Sequence, residues 1–346
     1  MIRVLVVDDS LTVRARIIEI LSGDPELEVI GEAADGRRAV ELCAQLRPDV
    51  VTLDMAMPDM TGVVATEHIM AHHPTPILIV SSSYNRGELF DTYAALAAGA
   101  VDVLDKPAAD EVGWEARLRD AVRLVSRIKV ITHPRARLGV RRAPQALRSA
   151  TDAQPRDLAV LALGASTGGP GALAAVLSGI APRCAVPILA ILHIDAPFAA
   201  AFAEWLAGQC GHPVRLARDG ERLADSAGTV LVAPSGRHLV VQHGRLRLVD
   251  DAPRNHCRPS IDVMFESLAA ELGPRVAAAL LTGMGRDGAR GLLAIRSAGG
   301  ATFAQDEATS TVYGMPREAA AIGAAERVLP VGELGGAIDQ LLRGKP

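Results

Sequence analysis

Short apolar runs alternate with amphipathic stretches along the first third of the chain. The apolar runs are Val4–Val7, Val29–Ala33, Val50–Leu53, Ile77–Val80 and Val101–Leu104. The amphipathic stretches begin near Ser10, Gly36, Gly62, Asn85 and Gly113, and the last extends from Trp114 to about Arg127. This alternation predicts a parallel sheet covered by helices. The pattern breaks after residue 125 and resumes at residue 157. Strands are then expected at Leu158–Leu163, Val186–Leu192, Val214–Ala217, Val276–Leu281 and Ala301–Ala304. Helices are expected from Pro170, Pro197, Ser260, Asp287 and Met315. Thr229–Val249 alternates with a period of two, like a hairpin region, around a turn at Pro234-Ser235-Gly236. The expected class is α/β, with two doubly wound parallel-sheet domains at residues 1–125 and 157–346. A linker at 126–156 joins them, and the second domain carries a small antiparallel annex.

Ligands of such sheets sit at the carboxyl ends of the strands. In the first domain those ends carry Asp8-Asp9, Asp54, Ser81 and Lys106. Three converging carboxylates repel one another unless a cation joins them, and hard oxygen donors suit Mg²⁺. The metal and Lys106 would steady a phosphoryl group during transfer to a carboxylate, with Asp54, the most central, as acceptor. Ser81 would hydrogen-bond the added oxygens. Each residue has a plainer use. Asp8 or Asp9 would serve as a helix cap, although Ser10 suits that better. Asp54 and Lys106-Pro107 would serve as turn residues. Their coincidence at four strand ends favours a site.

In the second domain, Gly164-Ala165-Ser166-Thr167-Gly168-Gly169 lies between an apolar strand and a helix opened by Pro170. Strand, glycine turn with central serine, and helix is the context of a nucleophile elbow. It presents Ser166 at the strand end and aims the Thr167 N–H at a developing oxyanion. The same string would also make a phosphate-binding turn at a helix N-terminus. Among the nine histidines, His193 is the best placed base because it ends the strand next expected at this rim. His238 falls in the hairpin, His256 in an irregular loop, and His68, His72 and His73 in the first domain. Asp287, after another strand, would orient the imidazole. Its plainer use is to cap the following helix, and Asp262 and Asp306 are rivals. The order Ser, His, Asp departs from the α/β-hydrolase order, although triads are defined by geometry.

Composition narrows the classes. Of 346 residues, 49% are hydrophobic and only 3% aromatic, so the cores must be aliphatic. A net charge of −4 gives no global reason to expect nucleic acid. No apolar run approaches the ~20 residues that span a bilayer, so no membrane insertion is expected. The opening Met1-Ile2-Arg3-Val4 run is too short and too soon acidic for a signal peptide. The four cysteines, Cys43, Cys184, Cys210 and Cys257, lack metal-type spacing, which fits small buried thiols in a reducing cytoplasm. Between residues 126 and 156, Arg127, Lys129, Arg135, Arg137, Arg141, Arg142, Arg148 and Arg156 face one acid, Asp152, among three prolines. That composition suits a solvated tether better than a docking strip.

Residues 1 to about 120 resemble a response-regulator receiver domain. The matching features are Asp8-Asp9-Ser10, Leu53-Asp54-Met55-Ala56-Met57-Pro58 with Gly62, Ile79-Val80-Ser81 and Asp105-Lys106-Pro107. The resemblance implies a flavodoxin-like fold and phosphorylation of Asp54 by a histidine kinase with Mg²⁺ bound. It makes Asp9 a direct metal ligand, Asp8 a supporting one, and Ser81 and Lys106 the switch residues.

Residues 157–346 resemble the catalytic domain of the chemotaxis protein-glutamate methylesterase. The resemblance rests on Gly164–Pro170, His193 with Phe198 and Phe202, Ala233–His238, Arg258–Asp262, Leu281–Gly288, Gln305–Ser310 and Tyr313–Pro316. It implies a Rossmann-like fold, a Ser166–His193–Asp287 triad and a Met284 backbone donor in the oxyanion hole. Where the family usually carries Gln-His-Met-Pro, this chain has Leu192-His193-Ile194-Asp195. The expected activity is phosphorylation-activated hydrolysis of glutamyl methyl esters on a chemoreceptor's cytoplasmic domain, without a cofactor for hydrolysis. In the family, the resting receiver covers the esterase site. Deamidation of receptor glutamines is a further implied activity. One rival is a phospho-switched binding protein with an idle serine site. Another is the same esterase serving a non-motility receptor array.

Overall fold

A computed structural model describes residues 1–82, 86–107, 113–128, 130, 157–182, 184–194 and 196–343. The chain divides into two units, Met1–Gln145 and Ala146–Pro346. The expected basic linker lies almost wholly outside the described residues, as does Asp195.

The first unit alternates β1 (Ile2–Val7), α1 (Leu11–Ser22), β2 (Leu27–Ala33), α2 (Gly36–Leu46), β3 (Val50–Leu53), α3 (Gly62–His72), β4 (Ile77–Ser81), α4 (Arg86–Ala98), β5 (Asp102–Asp105) and α5 (Trp114–Ser126). The strands form one parallel sheet in the order β2-β1-β3-β4-β5. That is the flavodoxin-like order, whose ligands sit where the winding reverses, beside β1 and β3. The helix starts follow from short polar side chains. Ser10, Asp35 and Thr61 each accept a hydrogen bond from the backbone N–H three residues on. The core below α1 and α5 is aliphatic except for Trp114, whose Nε1 donates to the Asp105 carbonyl at 2.7 Å.

The second unit begins with β6 (Val160–Ala165), α6 (Gly169–Ser178), β7 (Ile188–Leu192), α7 (Ala196–Cys210), β8 (Val214–Leu216) and β9 (Val230–Val232). It continues with β10 (His238–Gln242), β11 (Arg245–Val249), α8 (Ile261–Leu272), β12 (Val276–Leu280) and α9 (Ala289–Ser297). It ends with β13 (Ala301–Gln305), α10 (Met315–Ala321), β14 (Arg327–Leu329) and α11 (Val331–Arg343). Seven strands make a parallel sheet in the order β14-β13-β12-β6-β7-β9-β8. Strands β6, β7 and β12 are buried along their whole length, as expected of strands covered on both faces.

The hairpin differs from expectation. Val230–Val232 belongs to the parallel sheet, between β7 and β8. The antiparallel pair is β10 with β11, and its turn is His243-Gly244, not Pro234-Ser235-Gly236. Both turn residues have positive φ, 52° and 70°, which matches the twist of a two-residue hairpin. The segment 234–236 instead connects the two sheets.

Candidate active site and phosphoacceptor rim

In the first unit, β1 and β3 end side by side and deliver Asp8 and Asp54 to one rim. Both are buried, whereas Asp9 is exposed. Lys106, after β5, places its Nζ 2.9 Å from Asp8 Oδ2 and 2.9 Å from Asp54 Oδ2. Burial raises the Asp54 pKa against the pull of Lys106, and the nearby Asp8 charge adds to the rise. Burial opposes the Lys106 charge, but its bonds to Asp54 and Asp8 hold its pKa above the ordinary value. Ser81 ends β4, and its buried Oγ has no hydrogen-bond partner among the described residues. Gly62 lets α3 start against the rim, because a Cβ there would stand 2.3 Å from the Asp54 carbonyl oxygen. Asp8, Asp9 and Asp54 each offer an oxygen within 4.8 Å of the others.

In the second unit, the three central neighbours β12, β6 and β7 end at one rim. Ser166 follows β6, His193 follows β7, and Asp287 lies in the loop after β12. The elbow has the expected backbone. Gly168 has φ +75°, and a Cβ there would stand 2.3 Å from Thr311 Oγ1. Thr282 Oγ1 donates to the Thr167 carbonyl at 2.9 Å, and Gln305 Oε1 accepts from Thr282 N at 2.8 Å. Gly283 approaches so closely that a Cβ on it would stand 2.7 Å from Ser166 Cβ.

His193 Nε2 lies 3.0 Å from Asp287 Oδ2, a close charge contact in which the N–H is not aligned as a hydrogen bond. Nδ1 faces Cys257 Sγ at 3.7 Å. No hydrogen bond joins Ser166 Oγ to His193 among the described residues; catalytic bonds of this kind commonly tighten only with substrate bound. Burial works to lower the His193 pKa, but Asp287 and Cys257 outweigh it and raise the value to about 9.

Asp287 does not cap α9, whose N-cap is Gly288. It caps α8 instead. Oδ2 accepts from Ile261 N at 2.7 Å and Oδ1 from Ser260 Oγ at 2.7 Å, with Asn255 Nδ2 at 3.0 Å. Burial raises its pKa, but His193, Asn255 and Ser260 together hold the carboxyl below its usual range. The positive end of α8 favours the same charge.

The rival side chains have other uses. His238 is fully buried between the Ser260 N–H, which its Nδ1 accepts, and the Ala252 carbonyl, to which Nε2 donates. His256 is exposed. Asp262 accepts from Gly291 N at 2.8 Å, and Asp306 closes the turn at Thr309. Asn255 and Cys257 are site neighbours that no sequence motif marks. Asn255 sits in an irregular loop at φ +52°, where no periodic pattern singles it out.

A serine at a strand–turn–helix elbow, with a histidine–carboxylate pair on the strands to either side, places the second unit among serine hydrolases. The acidic rim and lysine of the first unit are those of a receiver. Family comparison agrees on both counts: the CheB methylesterase family matches residues 161–338, and the response regulator receiver domain matches residues 4–116. The chain is 46% identical to a protein-glutamate methylesterase/protein-glutamine glutaminase of Anaeromyxobacter dehalogenans, over 99% of this chain and 97% of that one. It is 43% identical to a protein of the same description from Pseudomonas aeruginosa, over 98% and 96%. The crystal structure of the Thermotoga maritima CheB methylesterase catalytic domain matches 53% of this chain and 98% of that one, at 30% identity and a TM-score of 0.51. The chain belongs to the CheB methylesterase family, and is a hydrolase carrying a response-regulator receiver domain. No helix among the described residues is long and apolar enough to cross a membrane.

Proposed function

We propose that this chain removes methyl esters from glutamate side chains on the cytoplasmic domain of a methylated chemoreceptor, under control of phosphorylation at Asp54. The observation that carries the reading is the delivery of Ser166, His193 and Asp287 to one rim by three adjacent strands, with His193 and Asp287 in contact at 3.0 Å. The names of the relatives support the substrate class.

Ser166 Oγ attacks the ester carbonyl carbon while His193 takes its proton. Nε2 lies against Asp287, so Nδ1, which borders the Cys257 thiol, is the nitrogen assigned to this role. The Thr167 and Met284 N–H groups stabilise the tetrahedral oxyanion. Its collapse breaks the C–O bond, and His193 passes its proton to departing methanol. Water, activated by the same imidazole, then splits the acyl-enzyme and leaves a glutamate carboxylate. Asp287 stabilises the imidazolium in both steps. Glutamine deamidation follows the same course with ammonia as the leaving group.

The all-oxygen donor set of Asp8, Asp9 and Asp54 fits Mg²⁺. When bound there, Mg²⁺ neutralises charge on the transferring phosphoryl group. Lys106, 2.9 Å from both Asp8 and Asp54, supplies a further positive charge at the same rim. Ser81 supplies a hydroxyl to the new oxygens, and a histidine kinase is the donor. The protein acts in the cytoplasm, where both kinase and receptor tails are met.

Methanol release from methylated receptor, followed with and without acetyl phosphate and Mg²⁺, tests the regulated reaction. The full chain should be stimulated, and Asp54→Asn should keep only the unstimulated rate. An absence of stimulation in the full chain would remove the regulatory half.

A further inference from the structure

We propose that His193, Cys257 and Asp287 form a second, chemically distinct metal site, selective for a soft divalent cation such as Zn²⁺, whose occupation stops hydrolysis. Each of the three offers a ligand atom within 4.8 Å of the other two. The donor set is one imidazole nitrogen, one thiol sulfur and one carboxylate oxygen. Zn²⁺ takes these at about 2.0–2.3 Å. Tetrahedral bonds of those lengths put nitrogen and sulfur roughly 3.6 Å apart. The observed Nδ1–Sγ separation is 3.7 Å. The Asp287 oxygen lies within 4.8 Å of both, so a tilt of the His193 ring and a turn of Cys257 by about an ångström would close the set on it, with a fourth position left to water.

The surroundings support a site. His193 Nε2 is buried without an aligned hydrogen bond, so the ring is held by charge proximity and free to tilt. Asp287 is anchored on α8 by Ser260, Asn255 and the Ile261 N–H, which fixes one ligand in advance. Cys257 is half-buried, which leaves the ion a path from solvent, whereas Cys43, Cys184 and Cys210 are buried. The chemistry also sorts the metals. The receiver rim offers only oxygen and suits Mg²⁺, whereas thiolate and imidazole suit Zn²⁺. On binding, the Cys257 thiol loses its proton to solvent and a Zn–S bond forms. The ion occupies the lone pair of His193 that would otherwise accept the Ser166 proton. The inhibitory half rests on the reading of His193 as the general base.

Two measurements on the full-length protein separate the parts. Co²⁺, added in place of Zn²⁺, should give a near-ultraviolet thiolate-to-cobalt band and strong visible bands of tetrahedral cobalt. Both should vanish in Cys257→Ser and Cys257→Ala, and both should persist in Asp8→Asn. In the methanol-release assay, Zn²⁺ should inhibit the parent, and a chelator should restore it. Cys257 borders His193, so the inhibition of each protein is scored against its own metal-free rate. The Cys257→Ser enzyme should need at least about 100-fold more Zn²⁺ for the same inhibition, since loss of an outer-shell partner alone costs up to that much affinity. A parent with no thiolate–cobalt band would overturn the site, and that spectrum requires no variant to fold. Equal Zn²⁺ inhibition of parent and both Cys257 variants would overturn the switch. A cobalt band in a protein that releases no methanol even before metal is added, or after a chelator has removed it, would uphold the site and refute the hydrolase reading instead.

Discussion

Asp287→Asn isolates what the carboxylate does for His193. The substitution keeps the shape and removes the charge. In the native protein, burial lowers the His193 pKa, yet the value stands at about 9 against an ordinary 6.5. Each pKa unit corresponds to about 1.36 kcal/mol, so Asp287 and Cys257 together favour the imidazolium by roughly 3 kcal/mol. The same charge forms in the transition state, so withholding the Asp287 share there slows the reaction by up to roughly 10²-fold. Loss of the imposed tautomer takes the defect toward the ~10⁴-fold seen when a serine-protease triad undergoes the same change. The acidity shift is a second readout. The active form carries neutral His193, so parental kcat/KM should climb with pH through neutrality toward about pH 9. Without the carboxylate, burial acts with less opposition, and the midpoint should move at least a unit toward acid. The stability linkage has the opposite sense. A folded pKa above the unfolded value stabilises below about pH 6.5, and that contribution fades as pH rises through about 9. Parent and variant unfolding free energies should therefore converge on the alkaline side, to within the constant cost of a weakened α8 cap. A variant with parental rate and an unmoved pH midpoint would refute the reasoning.

Other substitutions probe the supports. Lys106→Met leaves the buried Asp8 and Asp54 carboxylates facing each other, so denaturant unfolding should show a loss of about 3 kcal/mol at neutral pH. The loss should narrow on acidification, as protonation neutralises one of them, and stimulation by acetyl phosphate should disappear. Gly168→Ala forces a Cβ to within 2.3 Å of Thr311 Oγ1 at φ +75°, so hydrolysis should fall at least about tenfold and stability by about 2 kcal/mol. A fully active Gly168→Ala protein would show that the elbow geometry is dispensable.

The parallel architecture was legible because its central strands are buried on both faces and read as unbroken apolar runs. The placement of Ser166, His193 and Asp287 was legible for a related reason: the first two stand directly after such runs and the third in the loop after another, where topology brings each toward the rim. The failures have physical causes as well. Pro234-Ser235-Gly236 carries stronger turn chemistry than His243-Gly244, yet the hairpin turns at the latter, where histidine adopts a positive φ. The apolar pattern does not announce β14, which is short and only partly buried. Nor does it announce α11, which packs on α6 through Gly335. A Cβ there would lie 2.3 Å from the Val176 carbonyl oxygen, so the close approach is made by an absent side chain that no apolar pattern displays. Asp287 illustrates the deeper limit. Its local context offers a choice between orienting a base and capping the next helix. The fold has it contact His193 and accept the first N–H of α8, an earlier helix that only three-dimensional packing brings near.

The most direct test of the account is methanol release from methylated receptor by the full-length protein and by Ser166→Ala, compared at equal concentration and fold integrity. The account predicts that removing this one hydroxyl lowers the rate at least about 10³-fold. Release by Ser166→Ala at a rate near that of the parent would contradict it.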